Sequence, residues 1–257
     1  MFWRGLLRIC EAAVNLVTVC ILLLWSSLGA YALWDNNQVL NEAEDVRSQL
    51  LQWKPVAAEE AEEPVDNALV FAQLRKINPD VRGWITMEGT AIDFPVVRGE
   101  NNLHYISRDV FGEFSLAGSI FLDSRDDPAF SQSYALLYGH HMADGNMFGD
   151  LDRYKEEAFF RDHEGGQLIL PDKAYGLRVL GCLVVGASDG NIFDPEAVRR
   201  HPERLLPYVR ENSLWFREPV EGTGQYLALS TCSEEFTDAR TVVLTQMLSM
   251  EQEGKET

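Results

Sequence analysis

Eight short runs limit what this chain can fold into: GWITMEG, AIDFPVV, GSIFLD, YALLYGH, GQLILPD, YGLRVLGCLVVGA, GQYLALSTC and ARTVVLTQM. Each is rich in β-branched or aromatic residues and is bounded by Gly, Pro, Asp or Asn, which marks strands rather than helices. That many short strands must hide their edges, so they predict a closed or nearly closed antiparallel barrel rather than a parallel sheet. One interruption between the sixth and seventh runs, DPEAVRRHPERLLPYVRENS, reads as helix. Asp194 is its N-cap and Pro195 its first helical residue, and Pro202 and Pro207 are expected to break it into pieces.

The N-terminus sets the compartment. Arg4 and Arg8 precede residues 12–34, an uncharged and mostly apolar stretch long enough to cross a bilayer as a helix, and Asp35 with several acids follows. Positive charge before the span and negative charge after it put residues 1–34 in the role of a short cytoplasmic tail and a transmembrane anchor, with the rest outside. Ala30-Tyr31-Ala32 imitates a signal-peptide cleavage site, but the apolar run is longer than the core of a signal peptide. Residues 35–66 then read as a helix and a linker. Val39, Ala43, Val46, Leu50 and Trp53 alternate at steps of four and three, giving one apolar stripe that would dock on the domain. KPVAAEEAEEPVD is acidic and proline-bounded, so the main domain is expected over residues 67–250, with a tail at 251–257.

Forty acidic residues against 22 Lys and Arg leave a formal charge of -18, which repels phosphates and excludes nucleic acid as a partner. Of four cysteines, Cys10 and Cys20 lie in or beside the apolar segment. Cys182 sits in a continuous apolar run and reads as a buried strand thiol. A bridge between Cys182 and Cys232 would suit an oxidising exterior, yet the surroundings of Cys232 point to another use.

Residues 227–240, LALSTCSEEFTDAR, place Cys232 at the end of a strand-like run and Arg240 at the start of the next. Antiparallel pairing across so short a turn would return the guanidinium to the sulfur. Arginine is a fixed donor, suited to an oxyanion or a substrate carbonyl and unable to act as a base. LLYGHHMADGNMF supplies the base, since His140 and His141 follow an apolar run and Gly139 permits a sharp turn. Adjacent residues leaving a strand point in opposite directions, so only one of the two would face Cys232. Thiol, imidazole and guanidinium together suffice for acyl transfer through a thioester. Glu234, Glu235 and Asp238 would disfavour a thiolate if they pointed at it. His104, His163 and His201 lack metal-ligand spacing and read as solvated surface.

Taken together, NPDVRGWITMEGTAIDFPVV, AGSIFLD, YGHHMADGNMFGDL and LSTCSEEFTDARTVV resemble, in order, the sortases of Gram-positive bacterial surfaces, and within them class B. The resemblance spans about residues 78–247. It implies a mainly β fold with peripheral helices: an eight-stranded sortase-type β-barrel with an N-terminal helix and a helix inserted between strands 6 and 7. It implies Cys232 as nucleophile, His140 as general acid and base, and Arg240 as oxyanion or substrate donor. The substrate groove would be lined by Asn102, Ile106, Tyr138 and Ser230, with no cofactor and no metal. It further implies cleavage after the Thr of an NPQTN-like or PxTG-like sorting signal on a secreted protein. Transfer would follow to an amine of a peptidoglycan cross-bridge or of a pilin lysine, and both acceptors stay open. Two positions depart from the pattern: His141 stands where asparagine is common, and Ile106 where many relatives carry leucine. An L,D-type peptidoglycan transpeptidase would carry His-Gly directly before its cysteine, whereas LSTC stands here. A non-catalytic anchored barrel would keep its function in Cys232→Ala, and an acyl-transfer enzyme would not.

Overall fold

The computed structural model describes residues 2–55, 66–221, 224–232 and 235–250. The chain divides into two units, Met1–Asn41 and Glu42–Thr257. Helix α1 (Phe2–Leu51) makes up the first unit, and its last turns belong to the second. Within it Glu11–Asp35 is long and apolar enough to cross a membrane, by length and composition. At the other end of α1 the predicted stripe docks: Val46, Leu50 and Trp53 pack with Phe71, Leu74 and Trp84, and Leu50 is fully buried. The side chains of Val39 and Ala43, and the acidic stretch 56–65 read as a linker, lie outside the described residues. Asp66 caps α2 (Asn67–Ile77), its carboxylate accepting the Ala68 and Leu69 N–H groups, so the chain re-enters regular structure at the expected domain boundary.

All eight predicted runs are strands: β1 (Val81–Met87), β2 (Asp93–Val97), β3 (Ile120–Leu122), β4 (Tyr134–Tyr138), β5 (Gly165–Ile169), β6 (Ala174–Gly186), β8 (Tyr226–Cys232) and β9 (Ala239–Ser249). A ninth, β7 (Ser213–Phe216), lies between β6 and β8 in the chain. Hydrogen bonding runs β5-β1-β2-β3-β4-β8-β9-β6, and β6 pairs again with β5, closing an eight-stranded barrel; β7 attaches outside it, on β6. The expectation of a purely antiparallel barrel is corrected in two places, since β2 pairs with β3 and β4 with β8 in parallel. Parallel neighbours need a long crossover, and both connections are long enough to provide one.

Closure puts odd-numbered residues of β4 and β8, such as Leu137, Leu227 and Leu229, inside the barrel. Even-numbered ones face outward and are covered by the three helices that come after α3 (Glu157–Asp162) in the chain: α4 (Gly190–Phe193), α5 (Pro195–Arg200) and α6 (Leu205–Asn212). Ile192, Val198, Leu205 and Val209 press on Leu136, Ala228, Val242 and Leu244. With both faces covered, β8 and β9 are buried at consecutive positions through their middles rather than at alternate ones. Asp194 caps α5 through the Ala197 N–H as expected, and Pro202 interrupts the helix with a 3₁₀ turn. Pro207 does not break α6. It falls in the first turn, where a missing N–H costs no helical bond.

Candidate active site

The parallel register of β4 on β8 and the antiparallel register of β8 on β9 build the site. Tyr138 lies beside Ser230, and Cys232 lies directly opposite Arg240. Beyond the end of β4 the pairing continues for one step, with the Gly139 N–H on the Ser230 carbonyl at 3.1 Å. That carries His140 alongside Cys232. Alternation then puts Tyr138, His140, Ser230, Cys232 and Arg240 on the face covered further along by α4–α6. The helices stop short of the strand ends and leave a cleft of about 360 Å³, whose lining includes Asn102, Ile106, Tyr138, His140, Ser230, Cys232 and Arg240. Every residue named from sequence as catalytic or substrate-binding lines this one cleft. Ala187 and Phe193 close its other side.

Cys232 is an exposed free thiol, and Cys182 is a separate buried one whose titration burial pushes up to about 12. Arg240 is half-buried, and its Nη1 donates to the Ala239 carbonyl at 2.8 Å. Among the described residues it has no carboxylate partner: Glu235 turns instead to Lys155, and Asp238 is exposed at a left-handed backbone position, φ 62°. Glu234 lies outside the described residues.

The two histidines diverge. His140 Nε2 lies 2.7 Å from the Ile106 carbonyl. A carbonyl only accepts, so Nε2 carries the proton in this arrangement. His141 turns away, its Nε2 reaching the Asp152 carboxylate at 3.1 Å. Of the histidines read as surface, His201 is exposed and pairs with Glu203. His163 corrects that reading, being half-buried and stacked on Phe159 at 4.1 Å between ring centroids; His104 is half-buried against Tyr105. Among the described residues no His, Cys, Asp and Glu cluster has the arrangement to hold a metal.

The sequence reading missed Asp123. Its carboxylate is fully buried behind the cleft wall and accepts from Asn102 Nδ2 (2.9 Å), Tyr138 OH (3.0 Å) and three donors of Arg125 (2.7–2.9 Å). Arg125 extends the network to the Phe193 carbonyl at 2.9 Å, and the Phe193 ring stacks over Tyr138. Burial opposes ionisation of Asp123, but the Arg125 and Asn102 hydrogen bonds outweigh it and hold the carboxyl below its ordinary range. Tyr138 moves the other way: burial and the adjacent Asp123 charge push its hydroxyl well above the usual tyrosine range, so it stays a donor. Asn102 is thus part of a braced wall, its Oδ1 also accepting the Ser124 N–H at 2.7 Å. The local signal was an acid ending an apolar strand, with Asp126 and Asp127 soon after it, which a surface turn would show equally.

No protein-family model matches the chain. It is similar to Sortase B of Staphylococcus aureus, with 30% identity over 186 residues that cover 70% of this chain and 75% of that protein. It is similar to Sortase B of Listeria monocytogenes, with 34% identity over 163 residues that cover 63% of this chain and 66% of that protein. Among solved structures it matches a Streptococcus pyogenes class B sortase involved in pilus biogenesis, with 37% identity and a TM-score of 0.64, covering 69% of this chain and 97% of that one.

Proposed function

The chain belongs to the class B sortases, which are cysteine transpeptidases, and on that premise we propose that it cleaves a sorting signal after its threonine through a thioester on Cys232. Cys232 gives its thiol proton to His140, its Sγ attacks the threonine carbonyl carbon, and the electron pair of the carbonyl moves onto oxygen. The Arg240 guanidinium donates to that oxyanion. His140 protonates the nitrogen of the leaving peptide as the tetrahedral intermediate collapses to the thioester. An incoming amine then attacks the thioester, gives its proton to His140 and expels the thiolate.

The register that sets His140, Cys232 and Arg240 side by side at one cleft mouth carries this reading. The groove walls would seat the signal: Asn102 and Ile106 on one side, Tyr138 and Ser230 along the strand ends. Residues 11–35 would hold the enzyme in the membrane with its N-terminus inside, as the charges on either side favour. The acceptor is an amine of a peptidoglycan cross-bridge or a pilin lysine, and the negative surface suits either cation.

The test uses the full chain in detergent micelles, incubated with fluorogenic peptides carrying NPQTN-like and PxTG-like signals and with each acceptor amine. Wild type should form a mass-shifted Cys232 adduct, release the peptide's C-terminal part and yield the acceptor conjugate. Cys232→Ala should form no adduct, and His140→Ala and Arg240→Ala should lose at least a hundredfold in kcat/KM. Equal peptide turnover in wild type and Cys232→Ala would end the nucleophile assignment.

A further inference from the structure

We propose that Asp152 is a positioning residue which aligns the three groups at the cleft mouth by gripping their chain neighbours; this rests on the sortase reading of the site. The 3₁₀ turn Gly149–Lys155 lies against the far side of the strands that carry the site, and Asp152 is its hub. Its Oδ2 takes His141 Nε2 at 3.1 Å, one residue after His140. Its Oδ1 takes Thr241 Oγ1 at 2.7 Å, one residue after Arg240, from a threonine that is fully buried. Lys155 Nζ lies 2.9 Å from the same Oδ1 and also pairs with Glu235, on the turn that leaves Cys232.

Each reactive side chain therefore has a neighbour, one to three residues on, tied directly or through Lys155 to one carboxylate. In extended chain, successive side chains point to opposite faces, so gripping the neighbour orients the reactive group without touching the cleft. Burial opposes ionisation of Asp152, but the Thr241 and Lys155 hydrogen bonds outweigh it and hold the carboxyl below its ordinary range. A charged acceptor binds these donors more strongly than a neutral one. Acyl transfer needs the sulfur, the imidazole and the guanidinium in register at once, and displacement by about 1 Å can cost on the order of a hundredfold in rate.

The experiment uses the full chain in micelles and a sorting peptide that wild type cleaves. Asp152→Ala should lower kcat at least tenfold and leave KM within twofold, because the groove walls are untouched. Asp152→Asn should recover most of that loss: its Oδ1 still serves Thr241, and its amide can donate to the other tautomer of His141. Lys155→Ala and Glu235→Gln should each lower kcat several-fold. A substrate-free readout separates this inference from the sortase reading: the pH profile of Cys232 alkylation by iodoacetamide, which Asp152→Ala should displace or lower at least threefold. If wild type cleaves no peptide, the sortase reading fails while the alkylation profile still decides the alignment. A folded Asp152→Ala with unchanged kcat and an unchanged alkylation profile overturns the inference. If Asp152→Ala does not fold, unchanged kcat and alkylation in both Lys155→Ala and Glu235→Gln overturn it.

Discussion

Replacing Asp123 by Asn changes one atom of the cleft wall, and its cost can be worked from the geometry. Oδ1 of Asp123 accepts two donors, the Arg125 N–H and Nε; Oδ2 accepts three, from Asn102, Tyr138 and Arg125 Nη2. An asparagine amide must turn its nitrogen toward one of these sets, so at least two donors meet another donor. Each hydrogen bond to a charged acceptor contributes about 1.5–3 kcal/mol net, and part of the Arg125 loss is recovered from water because that side chain is 38% exposed. The expected destabilisation is therefore about 3–5 kcal/mol. At about 2–4 °C per kcal/mol for a unit of this size, that lowers Tm by roughly 6–20 °C. Thermal unfolding of the full chain in micelles, followed by near-UV circular dichroism, measures it. Peptide kinetics should show KM rising more than kcat falls, since Asn102 and Tyr138 line the groove and the reactive trio does not touch Asp123. A Tm drop under about 2 °C, less than 1 kcal/mol on the same scale, would refute the picture of five accepted hydrogen bonds at a buried carboxylate.

Three further outcomes follow from other parts of the fold. Asp126 is fully buried; burial outweighs its bonds to the Leu136 N–H and Arg199 and pushes its carboxyl up to about 6. An acid titrating higher when folded adds stability that is present below pH ~4 and lost as pH rises through ~6, so wild type measured against Asp126→Asn should lose roughly 2–3 kcal/mol between pH 4 and 7, and a pH-independent difference would contradict this. Leu50→Ala empties a fully buried position where α1 meets the barrel and should cost about 2–5 kcal/mol in urea unfolding; a change below 1 kcal/mol would mean that the end of α1 does not dock. Gly149→Ala would set a Cβ 2.1 Å from the Met142 carbonyl oxygen, in the loop after the histidines. It should cost about 1–3 kcal/mol and lower kcat, whereas wild-type kinetics would show that this loop does not govern the histidine.

Local composition was enough to identify the eight barrel strands, the apolar N-terminal span, the cap at Asp194 and the thiol ending β8, because each depends on a few consecutive residues. Helix α2 was also legible after the fact, with Asp66 as cap, Phe71 and Leu74 on one side and Arg75 and Lys76 in its last turn. β7 was not, since SLWF starts directly after the last residue of α6 with no loop between them and gains its pairing from β6. The parallel pairs β2–β3 and β4–β8 were invisible for the same reason: strand propensity does not depend on which neighbour a strand will find. Sequence spacing brought Arg240 back to Cys232 through one short turn. Only the β4–β8 register brought His140 there, from some ninety residues away. The braces are tertiary throughout. Asp123 and Asp152 look like solvated acids in sequence, and what distinguishes them is the donors that reach them from distant segments, Tyr138 and Asn102 for the one and His141 and Thr241 for the other, which meet only once the barrel has closed.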